Sequence, residues 1–193
     1  MLDKIRVASI GDAGHFYIAA GLGKIEGLEY VAAASDGYGG ARLLANDPGI
    51  PVYEDYRRML DAVRPDVASL GCWYAHNGQL ALECLRRGIH VFTDKPALNS
   101  WEEWQEAREI CAVHPQLCFL TEFEARLNPA FRAAHDAVRE GRIGRPVLAS
   151  AQKSYRFGAA RPDFYRRREH FAGLVMWVAS HGLDFMSWAS GLD

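Results

Sequence analysis

Six short apolar runs, separated by stretches of helical pattern, organise the N-terminal part of the chain. The runs are Ile5 to Ile10 (ended by Gly11), Leu28 to Ser35 (ended by Asp36), Pro51 to Tyr53, Asp66 to Gly71, His90 to Thr93 and Leu117 to Thr121. Runs of this length, apolar throughout rather than alternating, predict strands buried on both faces of a parallel sheet. Between them the spacing predicts helices over Gly14 to Lys24, Glu54 to Val63 and Asn77 to Arg87, the last stopped by Gly88 as its C′ residue. Ser100 opens a further helix. Ser100-Trp101-Glu102-Glu103 fits a capping box, and Trp101, Trp104, Ala107 and Cys111 predict its apolar stripe. Strands alternating with helices imply right-handed crossovers and a doubly wound parallel α/β sheet over residues 1–121.

The pattern changes near residue 122, and residues 122–193 read as a second, incomplete α+β domain. Asn128-Pro129 is an N-cap followed by proline at N1. Gly141 ends that helix, and Phe131, Ala134 and Val138 form its predicted apolar face. Pro146 to Lys153 is predicted as a strand. An Arg-rich loop follows, and a helix over about His181 to Ala189 closes the chain with Phe185, Met186 and Trp188 on an apolar face that has little to cover it. One strand does not make a stable sheet. The second domain therefore reads as part of a longer enzyme, or as a natural short form completed by a partner chain.

Composition narrows the function classes. Of 193 residues, 49 % are hydrophobic and 24 % charged, the balance of a globular protein, and the net charge of −2 argues against nucleic acid and membrane surfaces as partners. The longest apolar run, Phe171 to Ala179, is too short to span a bilayer. No secretory leader is apparent, and a cytoplasmic location is the default. Cys72, Cys84, Cys111 and Cys118 fall inside regular elements at unrelated spacings, which predicts neither disulfides nor a metal framework.

Candidate chemistry sits where strands end. Gly11-Asp12-Ala13-Gly14-His15-Phe16 is a strand-to-helix turn of the kind that presents backbone N–H groups to a pyrophosphate, although a full G-x-G-x-x-G is absent. Asp36 ends the second strand, where a carboxylate accepts hydrogen bonds from ribose hydroxyls and repels a 2′-phosphate. NAD is favoured on that basis, and Arg42 leaves NADP open. The plainer reading is a βα connection and a turn aspartate. Asp94-Lys95-Pro96 follows a buried strand and points a lysine into the crevice, where it could stabilise developing negative charge; a solvated loop lysine is the plainer reading. His181 and Asp184 share a helix face, and histidine is the acid–base group of neutral pH, set against a hydrogen-bonded core histidine.

Taken together, Ile5 to Gly11, Gly88 to Pro96, Asn128 to Phe131, Glu140 to Pro146 and His181-Gly-Leu-Asp184 with Trp188 and Gly191 resemble the glucose–fructose oxidoreductase / inositol dehydrogenase family. The resemblance runs along essentially the whole chain. It implies a Rossmann domain followed by an α/β domain on an open sheet, and an NAD(P)-dependent dehydrogenase of sugars, polyols or related hydroxylated small molecules. It implies that Gly11, Asp12, Ala13, Gly14 and His15 cradle pyrophosphate, and that Asp36 holds the ribose. Cys72, Trp73, Tyr74 and Asn77, with Asp94, would lie beside the nicotinamide half. Lys95 would meet both cofactor and substrate, and His181 would take the hydroxyl proton. Four departures stand out. Asp94 replaces a glutamate, Cys72-Trp73-Tyr74 replaces Thr-Pro-Asn, the glycine turn is degenerate, and Trp177 stands where the family often has an aspartate. Trp177 could stack on a sugar or nicotinamide face instead.

Tyr155, Arg156 and Arg161 lie in the basic, aromatic loop before the last helix, and could meet an anionic or hydroxylated substrate; a solvated loop is the plainer reading. With Trp177, His181 and Asp184 they complete the candidate substrate residues. The family commonly self-associates through its second domain, so the resemblance allows a homo-oligomer without fixing the oligomeric state. Two rival readings stay open, a non-catalytic nucleotide-binding or regulatory protein and an interaction module.

Overall fold

The computed structural model describes residues 4–11, 25–37, 49–156, 158, 161 and 163–191. Asp12 to Phe16, the helix predicted for Gly14 to Lys24, and Arg42 lie outside them. Six strands form one parallel sheet: β1 (Ile5–Ile10), β2 (Leu28–Ala34), β3 (Val52–Tyr53), β4 (Val67–Leu70), β5 (His90–Thr93) and β6 (Phe119–Thr121). Their spatial order is β3-β2-β1-β4-β5-β6. This is the doubly wound order, and it reverses direction between β1 and β4, where such sheets open a ligand crevice.

Register sets what reaches that crevice. Ile10 pairs with Ala34 on one side and Leu70 on the other, Leu70 pairs with Thr93, and Thr93 pairs with Thr121. The carboxyl ends of five strands are therefore level. Gly11, Asp36, Cys72, Asp94 and Lys95 follow those ends and share one edge. Behind them the core is made narrow by alanine: Ala8, Ala32, Ala34 and Ala68 are fully buried, and Met59, Leu60 and Leu85 reach in from the flanking helices. Small side chains on the strands let the helices α1 (Tyr56–Val63) and α2 (Asn77–Arg86) approach closely. Asp55 caps α1 by accepting from the Arg57 N–H at 2.8 Å.

Helix α3 (Trp101–Val113) corrects two expectations. Ser100 does cap it, accepting from the Glu103 N–H at 3.1 Å. The Glu103 carboxylate, however, accepts from the Asn99 N–H (2.7 Å) and from Gln79 Nε2 (2.8 Å) rather than closing a capping box on Ser100. It sits over Gly78 of α2, where a Cβ would collide with it. The buried face of α3 is thus Glu103 and Ala107, with Ile110 and Cys111 partly covered. Trp101 and Trp104 are 62 % and 39 % exposed and stack on each other, centroids 4.5 Å apart. Cys84 and Cys111 lie in helices, but Cys72 and Cys118 lie in connections; all four are free.

The described residues after 122 are helical or irregular. Helix α4 (Pro129–Arg139) is capped by Asn128, whose Oδ1 accepts from the Ala130 N–H at 2.9 Å. A short α5 (Arg168–Phe171) and a π-turn (Val175–Ala179) lead into α6 (Ser180–Ser190). The strand predicted for Pro146 to Lys153 is absent. That segment is exposed and irregular, because no described strand lies beside it to take its backbone hydrogen bonds. The apolar face of α6 is covered in part: Phe185 packs on Phe131 (4.4 Å) and Trp188 stacks on His135 (4.2 Å) of α4, while Met186 stays 38 % exposed. Ala134 faces solvent instead of the predicted apolar face. Among the described residues no helix is long and apolar enough to cross a membrane.

Candidate active site

The strand edge is drawn tight by Gly11. Its N–H donates to the Ala34 carbonyl at 2.9 Å, and its φ of +79° suits glycine alone. A Cβ there would come within 2.9 Å of the Gly71 carbonyl oxygen, so the ends of β1 and β4 meet only through a glycine. One strand away, Asp36 is 3 % exposed and its Oδ2 accepts from the Trp73 N–H at 3.3 Å. Asn77 is fully buried at the start of α2. Its Nδ2 donates to the carbonyls of Asp94 and Pro96, both at 3.2 Å, and its Oδ1 has no partner among the described residues. Asp94 Oδ1 accepts from the Lys95 N–H at 2.7 Å. A carboxylate and an orphaned amide oxygen at the carboxyl edge are acceptors. The ribose hydroxyls and carboxamide N–H groups of a nicotinamide dinucleotide are donors, so the residues present fit that cofactor. Asp12, Ala13, Gly14 and His15 lie outside the described residues.

Lys95 is 1 % exposed, and the bond to Pro96 is cis. Its ammonium donates to the Trp177 carbonyl at 3.1 Å and stands 5.1 Å from the ring centroids of both Tyr74 and Trp177. It forms no ion pair among the described residues, and two of its three donors remain unused. Burial pushes its pKa down, partly opposed by Asp94. His181, near the start of α6, is 9 % exposed, and its Nε2 has no hydrogen-bond partner among the described residues. It is therefore not a satisfied core histidine. Burial, reinforced by the cations of Lys95 and Lys153, lowers its pKa to about 4, so the imidazole is neutral at pH 7.

The aromatic residues near this edge pack largely on one another. Cys72 is fully buried and its thiol donates to the Ile10 carbonyl (3.3 Å), tying β4 to β1. Trp73 stacks on Phe164 (5.4 Å, 15°) and meets His170 edge-on (4.3 Å). Tyr74 stacks on Trp177 (5.6 Å, 30°), and its hydroxyl lies 3.2 Å from that of Tyr165. These side chains dock residues 164–178 onto the sheet edge. Trp177 is 5 % exposed and packs between Tyr74, Tyr155, Tyr165 and Phe171, so its ring is engaged with protein rings. Next to them His76 Nε2 and His170 Nδ1 lie 3.0 Å apart. Sequence reasoning missed Phe164, Tyr165 and His170. Their only signal was a cluster of rings in a loop.

Tyr155 and Arg161 do reach Trp177. Both line a cleft of about 710 Å³ beside it. His181 lines an adjoining recess of about 660 Å³ that shares Gln152 and Lys153 with the cleft. Asp184 is drawn away from both by Arg126, whose Nε donates to its carboxylate at 3.1 Å.

Residues 5–122 match the model of the oxidoreductase family with an NAD-binding Rossmann fold, and residues 131–193 match the GFO/IDH/MocA C-terminal domain. The chain belongs to this family. Among curated relatives of this family member, the scyllo-inositol 2-dehydrogenase (NAD(+)) of Bacillus subtilis (strain 168) is 22 % identical over 188 residues, covering 97 % of this chain and 54 % of the relative. The D-glucoside 3-dehydrogenase of Escherichia coli (strain K12) is 27 % identical over 168 residues, 85 % of this chain and 47 % of the relative. A solved protein of Thermotoga maritima superposes with a TM-score of 0.88 at 30 % identity, over 96 % of this chain and 58 % of its own. The scyllo-inositol dehydrogenase of Lactobacillus casei, solved with NAD(H) and scyllo-inositol, shares the fold at a TM-score of 0.76 and 21 % identity, over 98 % and 57 % of the two chains. This oxidoreductase-family chain thus spans about half the length of the curated relatives first matched.

Proposed function

We propose that the chain carries the nucleotide-binding domain (residues 1–121) and the acid–base group (from residues 122–193) of an NAD-dependent dehydrogenase acting on a sugar, polyol or related hydroxylated small molecule. The observation that supports it most is that a buried Lys95 ammonium with two donors unused lies close enough to the orphaned Nε2 of His181 to lower the pKa of that imidazole. Asp36 would hold the adenosine ribose of a bound NAD, and Asn77 Oδ1 would be an acceptor for its carboxamide; the cofactor would supply the hydride acceptor. The unused donors of Lys95 hold the substrate hydroxyl and stabilise the oxyanion that develops as its proton leaves. Neutral His181 accepts that proton at Nε2. A base with a pKa of about 4 is weak, and Lys95 compensates by lowering the pKa of the hydroxyl itself. The carbon thus loses hydride and its hydroxyl loses a proton, leaving a carbonyl.

The test is a polyol and sugar screen following NADH absorbance, with His181→Gln and Lys95→Met. Each variant is expected to lower turnover by roughly 10²–10³-fold, with NADH affinity unchanged in His181→Gln. Turnover that survives both variants overturns the assignment. Saturable NADH binding without turnover on any substrate would favour a nucleotide-binding protein that does no chemistry.

A further inference from the structure

The cleft beside Trp177 carries uncompensated positive charge. Lys153, Arg156 and Arg161 line it, and no acidic residue does so among the described residues. Lys153 has a partner, Glu124, at 3.6 Å. Arg161 has none: it forms no ion pair among the described residues, and its guanidinium instead lies 5.4, 5.2 and 5.3 Å from the ring centroids of Tyr155, Tyr165 and Trp177. Ring contacts fix the position of a guanidinium without using up its N–H donors, and a held planar fork is the geometry that takes a carboxylate or phosphate through two hydrogen bonds. The same indole carries Lys95 at 5.1 Å, so Arg161 stands one ring away from the reacting centre. Gln152 and Lys153 join the cleft to the recess of His181. A cation kept half-buried among rings is costly when no anion answers it. A bound anion would answer it.

We propose that the substrate is a hydroxylated acid rather than a neutral polyol: its carboxylate or phosphate is held by Arg161, and its hydroxyl lies at Lys95 and His181. This rests on the reading of Lys95 and His181 as the reacting pair and adds the substrate class to it. Arg161 is then the residue that sets specificity.

The experiment is calorimetric titration of the full chain, with NADH present, using D-galactose, D-galacturonate and D-galactose 6-phosphate. One good charge-assisted contact corresponds to roughly a tenfold preference or more. At least one of the two anions is expected to bind about tenfold or more tightly than galactose, and the better of them tells carboxylate from phosphate. Arg161→Gln is expected to abolish the preference. Arg161→Lys, which keeps the charge and loses the fork, restores part of it. NADH affinity, measured separately, should be the same in all three proteins. Equal affinity for neutral and charged sugars, no binding of any of them, or a preference that survives Arg161→Gln overturns the proposal. So does an Arg161→Gln chain that has lost NADH, since Arg161 would then serve the cofactor phosphates. A wild-type chain that binds no NADH overturns the dehydrogenase reading as well; one that binds NADH but shows no preference overturns this inference alone.

Discussion

His181 should make the stability of this chain depend on pH in a defined window. Its pKa is lowered from the ordinary 6.5 to about 4, first by burial and then by the charges of Lys95 and Lys153. Between those two values the unfolded chain holds a proton on this histidine and the folded chain does not. Stability contributed by the neutral imidazole is therefore complete above about pH 6.5, falls as the pH drops below it, and levels off below about 4. Each pH unit between the two values is worth about 1.4 kcal/mol, so the interval corresponds to roughly 3 kcal/mol. Other groups titrate over the same range. The difference between wild type and His181→Gln removes them, because the variant keeps every other carboxylate and histidine. Urea unfolding of both proteins, followed by circular dichroism at steps from pH 7.5 to 3.5, reads that difference directly. The gap between the two curves is expected to shift by about 3 kcal/mol against the wild type on acidification. An NMR titration of the His181 ring, with a midpoint near 4, is the independent check. Parallel curves, or a midpoint near 6.5, would refute the claim that the imidazole is buried beside the Lys95 and Lys153 cations.

Other outcomes follow from single contacts. Gly11→Ala forces a Cβ to within 2.9 Å of the Gly71 carbonyl at a φ of +79°, and should cost about 2 kcal/mol or more in urea unfolding. Trp177→Ala removes the ring around which Tyr74, Tyr155 and Tyr165 pack, and is expected to destabilise by about 3–5 kcal/mol in the same assay. Tyr74→Phe keeps that packing and loses only the 3.2 Å hydroxyl contact with Tyr165, for about 1 kcal/mol. Arg126→Ala leaves the Asp184 carboxylate without its guanidinium, and should lower stability by about 1–3 kcal/mol while leaving NADH affinity unaltered.

The strands were legible because a parallel strand buried on both faces must be apolar along its length, as Ile5 to Ile10 and His90 to Thr93 are. Once their order follows from the alternation with helices, the residues after them (Gly11, Asp36, Lys95) are placed at the crevice by register alone. Side-chain partners were less legible. The stripe predicted on α3 put Trp101 and Trp104 inward, but the covered face is decided by what lies across from it. Gly78 leaves a space on α2 that the Glu103 carboxylate fills while meeting Asn99 and Gln79. The packing partners of Trp73 and Tyr74 were not legible, because they stand 91 residues further on, in a segment whose rings carry no periodicity. Pro146 to Lys153 has strand composition but no strand to pair with among the described residues, and propensity is silent on that point. His181 could be named by residue type, whereas its unsatisfied nitrogen is a property of the packed molecule.

The most direct measurement is a titration of the full chain with NADH and NADPH, following nicotinamide fluorescence, in wild type and Asp36→Ala. Saturable binding of NADH, tighter than that of NADPH and weakened at least tenfold by Asp36→Ala, is the result expected of a dinucleotide held at the carboxyl edge of β2 with two ribose hydroxyls on the carboxylate. A well-folded chain that binds neither nucleotide, or one whose NADH affinity is indifferent to Asp36, would contradict the site described here.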